Sequence, residues 1–184
     1  GCGTIGIFAV QWARIFGAGN IVALDIDEGR LALARKMGAS AAINTKETDF
    51  VEKASKAAGG QLFDYVFEAA GNPETMKYAF LLAANKASLC FIGTPHEPLA
   101  FTPELWENMN RKEFSLTGSW MSYSAPFPGK EWSLTAHYLA GGQLKFAPEL
   151  LFRRYPLSGA GEAFDIYRTP GNVHGKVMLI NEEK

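Results

Sequence analysis

The sequence predicts an α/β chain built on a Rossmann-type, doubly wound parallel sheet. Three observations carry that prediction. Strand-like and helix-like stretches alternate from Thr4 to Gly118, the pattern of parallel β-α-β units. The chain opens on Gly1-Cys2-Gly3-Thr4-Ile5-Gly6, a G-x-G-x-x-G that runs straight into an apolar helical stretch. An acid, Asp25, closes the run Asn20-Ile21-Val22-Ala23-Leu24, 19 positions after Gly6. Glycines, a helix, then a strand ending in an acid form the dinucleotide-binding fingerprint. On that reading Gly1 allows the tight turn, Gly3 lets the backbone approach a pyrophosphate, and Gly6 lets helix and sheet pack closely. The helix start points N–H groups at the phosphates, and Asp25 accepts hydrogen bonds from the adenosine ribose hydroxyls.

The elements follow in order. Residues 4–16 place Ile5, Phe8, Ala9, Trp12, Ile15 and Phe16 at helical spacing, and Gly17 and Gly19 stop that helix. Residues 21–25 are a strand. Asp27 caps a helix over 28–37 that ends at Gly38. Residues 41–43 are a short strand, 49–58 a helix ended by Gly59-Gly60, and 63–68 a strand closing at Ala69-Ala70-Gly71. Pro73 opens a helix continued by 76–84. Residues 87–92 form the next strand, ended by Gly93-Thr94-Pro95. A loop over 96–103, a short helix over 105–110 and a strand over 114–117 follow. In a parallel sheet ligands bind at the carboxyl ends of the strands. Asp25, residues 68–71, Gly93-Thr94 and residues 118–120 are therefore expected to face one crevice.

The remainder changes character. Residues 119–132 are rich in aromatics and prolines, which reads mainly as packing, with Trp120 or Tyr123 as candidates to touch a ligand. A helix over 131–140, an extended stretch over 150–156, a helix over 162–168 and a strand over 176–180 complete the chain, and the last four residues are expected to be solvated. The expected domain division is 1–140 for the dinucleotide-binding part and 141–184 for a segment that completes it and leads back toward a further domain. The fingerprint normally follows a buried strand. That central strand is expected ahead of Gly1, so the chain reads as a fragment of a longer protein. Lys176-Val177-Met178-Leu179-Ile180 is the alternative candidate for its place.

Composition narrows the function. The 184 residues are enough for one substantial core, and 47% are apolar. A net charge of −1 gives no electrostatic case for nucleic acid or anionic membrane, and no apolar run approaches the roughly 20 residues of a membrane span. Cys2 and Cys90 stand far apart, outside any C-x-x-C, and read as small hydrophobes suited to a reducing cytoplasm. His96, His137 and His174 are scattered. No metal ligand set and no catalytic residue is expected in the chain.

Several stretches are similar to the zinc-dependent, medium-chain alcohol and polyol dehydrogenases. They are Asp25-Ile26-Asp27-Glu28-Gly29-Arg30-Leu31 with Ala34-Arg35 and Met37-Gly38-Ala39, then Asp64-Tyr65-Val66-Phe67-Glu68-Ala69-Ala70-Gly71. Arg111-Lys112-Glu113, Gly118-Ser119 and the closing Gly175-Lys176-Val177 match as well. The segment from Gly118 to Gly129 resembles the part of the family that handles sugar-alcohol phosphates. The resemblance spans essentially the whole chain. It implies that Gly1, Gly3 and Gly6 form the phosphate loop, with Thr4 and Ile5 opening the helix beneath the pyrophosphate. It places Asp25 and Arg30 at the adenosine ribose, Ile26 beside the adenine, and Ala69 and Ala70 over the adenine side. Ile92, Gly93 and Thr94, with Thr117, Gly118 and Ser119, present backbone groups to the nicotinamide carboxamide, and Lys176 stands near the pyrophosphate.

The resemblance further implies oxidation of a secondary alcohol to a ketone with NAD as hydride acceptor. Zinc would be held in an N-terminal catalytic domain absent from this chain, so the chain alone is expected to be inactive. Asp25 favours NAD over NADP, because a carboxylate repels a 2′-phosphate; Arg30 argues the other way. The residues 114–117 read as an apolar edge strand that needs cover, and a homodimer through it is expected. Three other readings remain open: a zinc-free, quinone reductase-like relative, an S-adenosylmethionine-dependent methyltransferase, and a non-catalytic module that senses a nucleotide.

Overall fold

The alternation of strands and helices is realised element by element in the computed structural model of the chain, which describes residues 1–120, 127–169 and 171–181. Helix α1 (Thr4–Ile15) leads to strand β1 (Val22–Asp25), helix α2 (Glu28–Lys36) and strand β2 (Ala41–Asn44). Helix α3 (Phe50–Ala57), strand β3 (Phe63–Glu68), helix α4 (Pro73–Leu82) and strand β4 (Ala83–Phe91) follow. Helix α5 (Pro103–Lys112), strand β5 (Ser115–Gly118) and helix α6 (Lys130–Ala140) complete the series. Every strand pair is parallel: β1 with β2, and β3, β4 and β5 in that order. The chain forms two compact units, Gly1–Leu144 and Lys145–Lys184.

Side chains start the helices where the sequence has the right oxygen. Arg30 N–H donates to Asp27 Oδ1 at 2.9 Å, Glu74 N–H to Asn72 Oδ1 at 2.8 Å, and Leu105 N–H to Thr102 Oγ1 at 3.3 Å. Pro73 and Pro103 occupy first-turn positions, where a missing N–H is no loss. Helix α5 thus begins two residues before the expected Leu105, because Thr102 and Pro103 form a complete start signal. Helix α4 stops at Leu82, and strand β4 begins at Ala83 rather than Ala87. The register jumps from Phe63 opposite Ala83 to Tyr65 opposite Ser88, and the irregularity contains Lys86 at φ +62°. An alanine-rich run with no stop residue hides that transition from a reading of the sequence.

Phe80 on α4 is the centre of the core. It is fully buried with Ala79, Ala83, Ala87, Leu89 and Phe114. Phe101 lies 4.7 Å from it and Phe114 meets it edge-on at 5.1 Å. Phe114 is therefore a core residue, 5% exposed, and not part of an apolar edge. The edge strand itself begins at Ser115. Lys112 Nζ donates to Phe80 O at 3.0 Å and Leu81 O at 3.1 Å, satisfying carbonyls at the end of α4. Burial pushes its ammonium below the usual lysine range.

In the first unit the strands form two sheets rather than one, since β1 and β3 are not hydrogen-bonded to each other. The segment Lys176–Ile180 does not fill the place of a strand beside them. It is β7, paired in parallel with β6 (Leu151–Pro156) in the second unit. That unit also holds helix α7 (Ala160–Asp165), shorter than the expected 162–168 run because residues 166–168 tighten into a 3₁₀ turn.

Candidate functional site

The first residues of the chain lie against the carboxyl ends of both β1 and β3. Cys2 N–H donates to Asp25 Oδ2 at 2.6 Å, and a Cβ added at Gly1 would stand 2.8 Å from Ala70 Cβ, just past β3. Gly6 faces the same loop: a Cβ there would fall on the Gly1 carbonyl oxygen. Close approach to Ala70 and within the loop thus calls for glycine at Gly1 and Gly6. Gly6, Ile7, Val10 and Gln11 are the buried positions of α1. The expected stripe is rotated away from that face, and Ile5 and Phe16 are exposed. The reason is that Gly6 must point inward, and its position fixes the rotation of the helix. Gly3 is the N-cap, no side chain caps the helix, and nothing lies within 4 Å of a Cβ built on Gly3. The helix start therefore faces open space, the arrangement that receives a phosphate group.

Asp25 is 7% exposed and does more than wait for a ribose. Its Oδ2 accepts Cys2 N–H, and its Oδ1 accepts Ile26 N–H at 2.8 Å and Asp27 N–H at 3.0 Å. Arg30 Nη1 stands 3.9 Å from Oδ2 with its side chain partly in solvent. The Cys2 thiol lies beneath, donating to Leu24 O at 3.5 Å, and burial pushes its pKa up to about 11. Ile26 is exposed beside this cluster.

At the end of β3 a second acid organises the next two loops. Glu68 is 3% exposed. Its Oε1 accepts Ala70 N–H at 2.8 Å, Gly71 N–H at 3.0 Å and Thr75 O–H at 2.7 Å. Its main-chain carbonyl accepts Ile92 N–H at 2.8 Å and Gly93 N–H at 3.0 Å. The loops cross in backbone contact. A Cβ at Gly93 would fall on the Gly71 nitrogen and 2.7 Å from Glu68 Oε2, and one at Gly71 would lie 2.5 Å from Thr94 O. Beyond this crossing opens a cleft of about 430 Å³ lined by residues 91–95 and 118–120.

The structure therefore brings Gly1, Gly3, Thr4, Ile5 and Gly6 together with Asp25 and Ala70. It gathers Ile92, Gly93, Thr94, Gly118 and Ser119 around one cleft. Thr117 does not line the cleft: its hydroxyl donates to Leu89 O at 3.3 Å within the sheet. Phe91, Pro95 and Trp120 do line it, and of these the sequence pointed only to Trp120. Glu68 was visible as a strand end but not as a hub, since its partners lie in loops whose crossing no spacing rule shows. Lys176 begins β7 in the second unit. Tyr123 lies outside the described residues, as does half of the Gly118–Gly129 segment. Among the described residues no group of three or more His, Cys, Asp and Glu side chains could hold a metal ion, and no helix is long and apolar enough to cross a membrane.

A glycine loop tied to two parallel strand ends, with a cleft at the neighbouring ends, defines a dinucleotide-binding α/β unit. Residues 4–136 match the model of the zinc-binding dehydrogenase family, and the chain belongs to that family. It is 36% identical over 180 residues to galactitol 1-phosphate 5-dehydrogenase of Escherichia coli K12, matching 98% of this chain and 51% of the relative. The crystal structure of galactitol-1-phosphate dehydrogenase from Escherichia coli superposes with a TM-score of 0.85 at 35% identity, over 96% of this chain and 51% of that one. An Escherichia coli CFT073 alcohol dehydrogenase complexed with NADH aligns with a TM-score of 0.76 at 26% identity, over 97% of this chain and 50% of that one. This chain spans about half the length of these relatives. The methyltransferase and quinone reductase readings of the fingerprint are not favoured by these matches.

Proposed function

We propose that this chain is the cofactor-binding part of an NAD-dependent polyol dehydrogenase that oxidises a secondary alcohol of a sugar-alcohol phosphate to a ketone. The observation that carries this reading is the pairing of an uncapped helix start at an open glycine, Gly3, with a cleft formed by Ile92–Thr94 and Gly118–Ser119. The likeness to galactitol 1-phosphate 5-dehydrogenase supports the substrate class. Gly1, Gly3, Thr4, Ile5 and Gly6 would hold the pyrophosphate, while Asp25, Ile26 and Arg30 would hold the adenosine, with Ala69 and Ala70 beside it. Ile92, Gly93, Thr94, Gly118 and Ser119 would hold the nicotinamide end. NAD, when bound, supplies the hydride acceptor. The residues of this chain contribute position and exclude water from the ring. Zinc, if the whole protein uses it, would be held by residues outside this chain, and the chain alone is expected not to turn over substrate.

Asp25 places a carboxylate where a 2′-phosphate would lie, which favours NAD over NADP. We further propose a homodimer through β5, which among the described residues ends its sheet with one backbone edge unpaired, and a cytoplasmic location, consistent with two free thiols. Calorimetric titration of the chain with NADH and with NADPH tests the central reading. The expected result is NADH binding with a clear preference over NADPH. Failure to bind either cofactor would sink it.

A further inference from the structure

We infer that Glu68 is a positioning residue for the nicotinamide end of the cofactor, an inference that rests on the proposed cofactor reading. Glu68 bonds to both of the loops that cross beneath the cleft. Its carboxylate holds Ala70 and Gly71, and its main-chain carbonyl holds Ile92 and Gly93. Thr75, in the first turn of α4, donates its hydroxyl to the same carboxylate oxygen. The contact between the loops leaves no slack, since a single added carbon at Gly93 meets both Gly71 and Glu68 Oε2. Residues 91–95, which the crossing fixes, form one wall of the cleft. A buried carboxylate at 3% exposure is retained only where its lone pairs are satisfied. Here those donors belong to the loop that sets the wall. The glycine loop and Asp25 are fastened mainly through Cys2, and Glu68 reaches that side only through Ala70, which packs against Gly1, so the adenosine end depends on Glu68 less than the crossing does.

That separation makes the inference testable. Glu68→Gln keeps the shape but turns one acceptor into a donor aimed at the Gly71 N–H. Thr75→Val removes the hydroxyl that steadies the carboxylate. Each variant of the chain is titrated with NADH and with ADP-ribose, which lacks the nicotinamide. Amide hydrogen exchange is followed at residues 70–71 and 92–94. The expected result for Glu68→Gln is roughly tenfold weaker NADH binding, ADP-ribose binding within about twofold of wild type, and faster exchange at those amides. Thr75→Val should move the same readouts in the same direction by a smaller factor. Equal weakening of both ligands, or no change in exchange, overturns the positioning role and leaves the cofactor reading intact. A wild-type chain that binds neither ligand overturns the cofactor reading, and the role of Glu68 with it.

Discussion

Asp25 and Glu68 solve one problem in two ways. They are the two buried carboxylates among the described residues, each is the last residue of a parallel strand, and each turns back to receive N–H groups from a loop. Asp25 reaches across 23 positions to Cys2 and keeps a cation at 3.9 Å. The partners of the Glu68 carboxylate are neutral and local: Ala70, Gly71 and Thr75. A desolvated carboxylate must be satisfied, and both acids are satisfied largely by backbone. The long-range tie fixes where the chain enters the site. The local tie fixes how two loops cross. The glycine loop is open at Gly3, whereas the crossing at Gly71 and Gly93 is closed to a single carbon.

The sharpest way to break this comparison is to add the same methyl group to each region. Gly93→Ala drives a Cβ into the Gly71 backbone and toward Glu68 Oε2. The expected loss is about 3 kcal/mol or more of unfolding free energy, because backbone is met rather than a flexible side chain. Gly3→Ala meets nothing within 4 Å. It should change stability by no more than about 1 kcal/mol, the preference for glycine over alanine at an N-cap, while weakening NADH binding about tenfold or more by filling the phosphate space. Urea melts and cofactor titrations of the two variants read both effects. A stable Gly93→Ala chain, or unaltered NADH binding by Gly3→Ala, would contradict the contrast between a closed crossing and an open loop.

The same contrast decides what was legible in the sequence. Strand and helix alternation gave most elements to within a few residues, because the cap at Asp27, Pro73 at a helix start and glycines such as Gly38 mark ends by local chemistry. The adenosine side was legible because a fixed interval separates glycines from acid. Glu68 was not, since its work depends on two loops 22 positions or more apart meeting in space, as Gly71 and Gly93 do. Nor was the face of α1. Hydrophobic spacing favoured Ile5 and Phe16, whereas the packing of Gly6 against Gly1 turned them outward. Phe114 was assigned to an edge by its strand-like neighbours, and only its contact with Phe80 reveals it as core.

The Cys2 thiol sharpens the Asp25 side. Burial raises its pKa to about 11 from an ordinary 9.0, so the folded state favours the protonated thiol. That contribution is fully present below pH 9 and is lost as pH climbs from about 9 to about 11. It amounts to roughly 2–3 kcal/mol. Urea midpoints at pH 8 and pH 10.5 should therefore fall further apart for wild type than for Cys2→Ala. At pH 8 iodoacetamide should modify Cys2 in the native chain about a hundredfold more slowly than in the unfolded chain, following the thiolate fraction. Comparable rates in the two states would mean that the glycine loop opens readily, and that Asp25 does not fasten it.

The smallest effect expected on stability comes from Arg30, the one partner of Asp25 with no counterpart at Glu68. Its guanidinium is 3.9 Å from Oδ2 and its side chain is 39% exposed, so solvent screens the pair and its net contribution is at most about 1 kcal/mol. Asp25 keeps three N–H donors without it. Arg30→Ala should leave the urea midpoint nearly unchanged. Its effect should appear in cofactor choice, because an arginine near the ribose is the group able to offset a 2′-phosphate that Asp25 repels. We expect the variant to bind NADPH several-fold more weakly than wild type while NADH binding stays within about twofold. Equal losses for both cofactors would assign Arg30 to the shared part of the adenosine or to the seating of Asp25. The cation would then belong to the loop fastening, and the two buried acids would differ in their partners without differing in what those partners do.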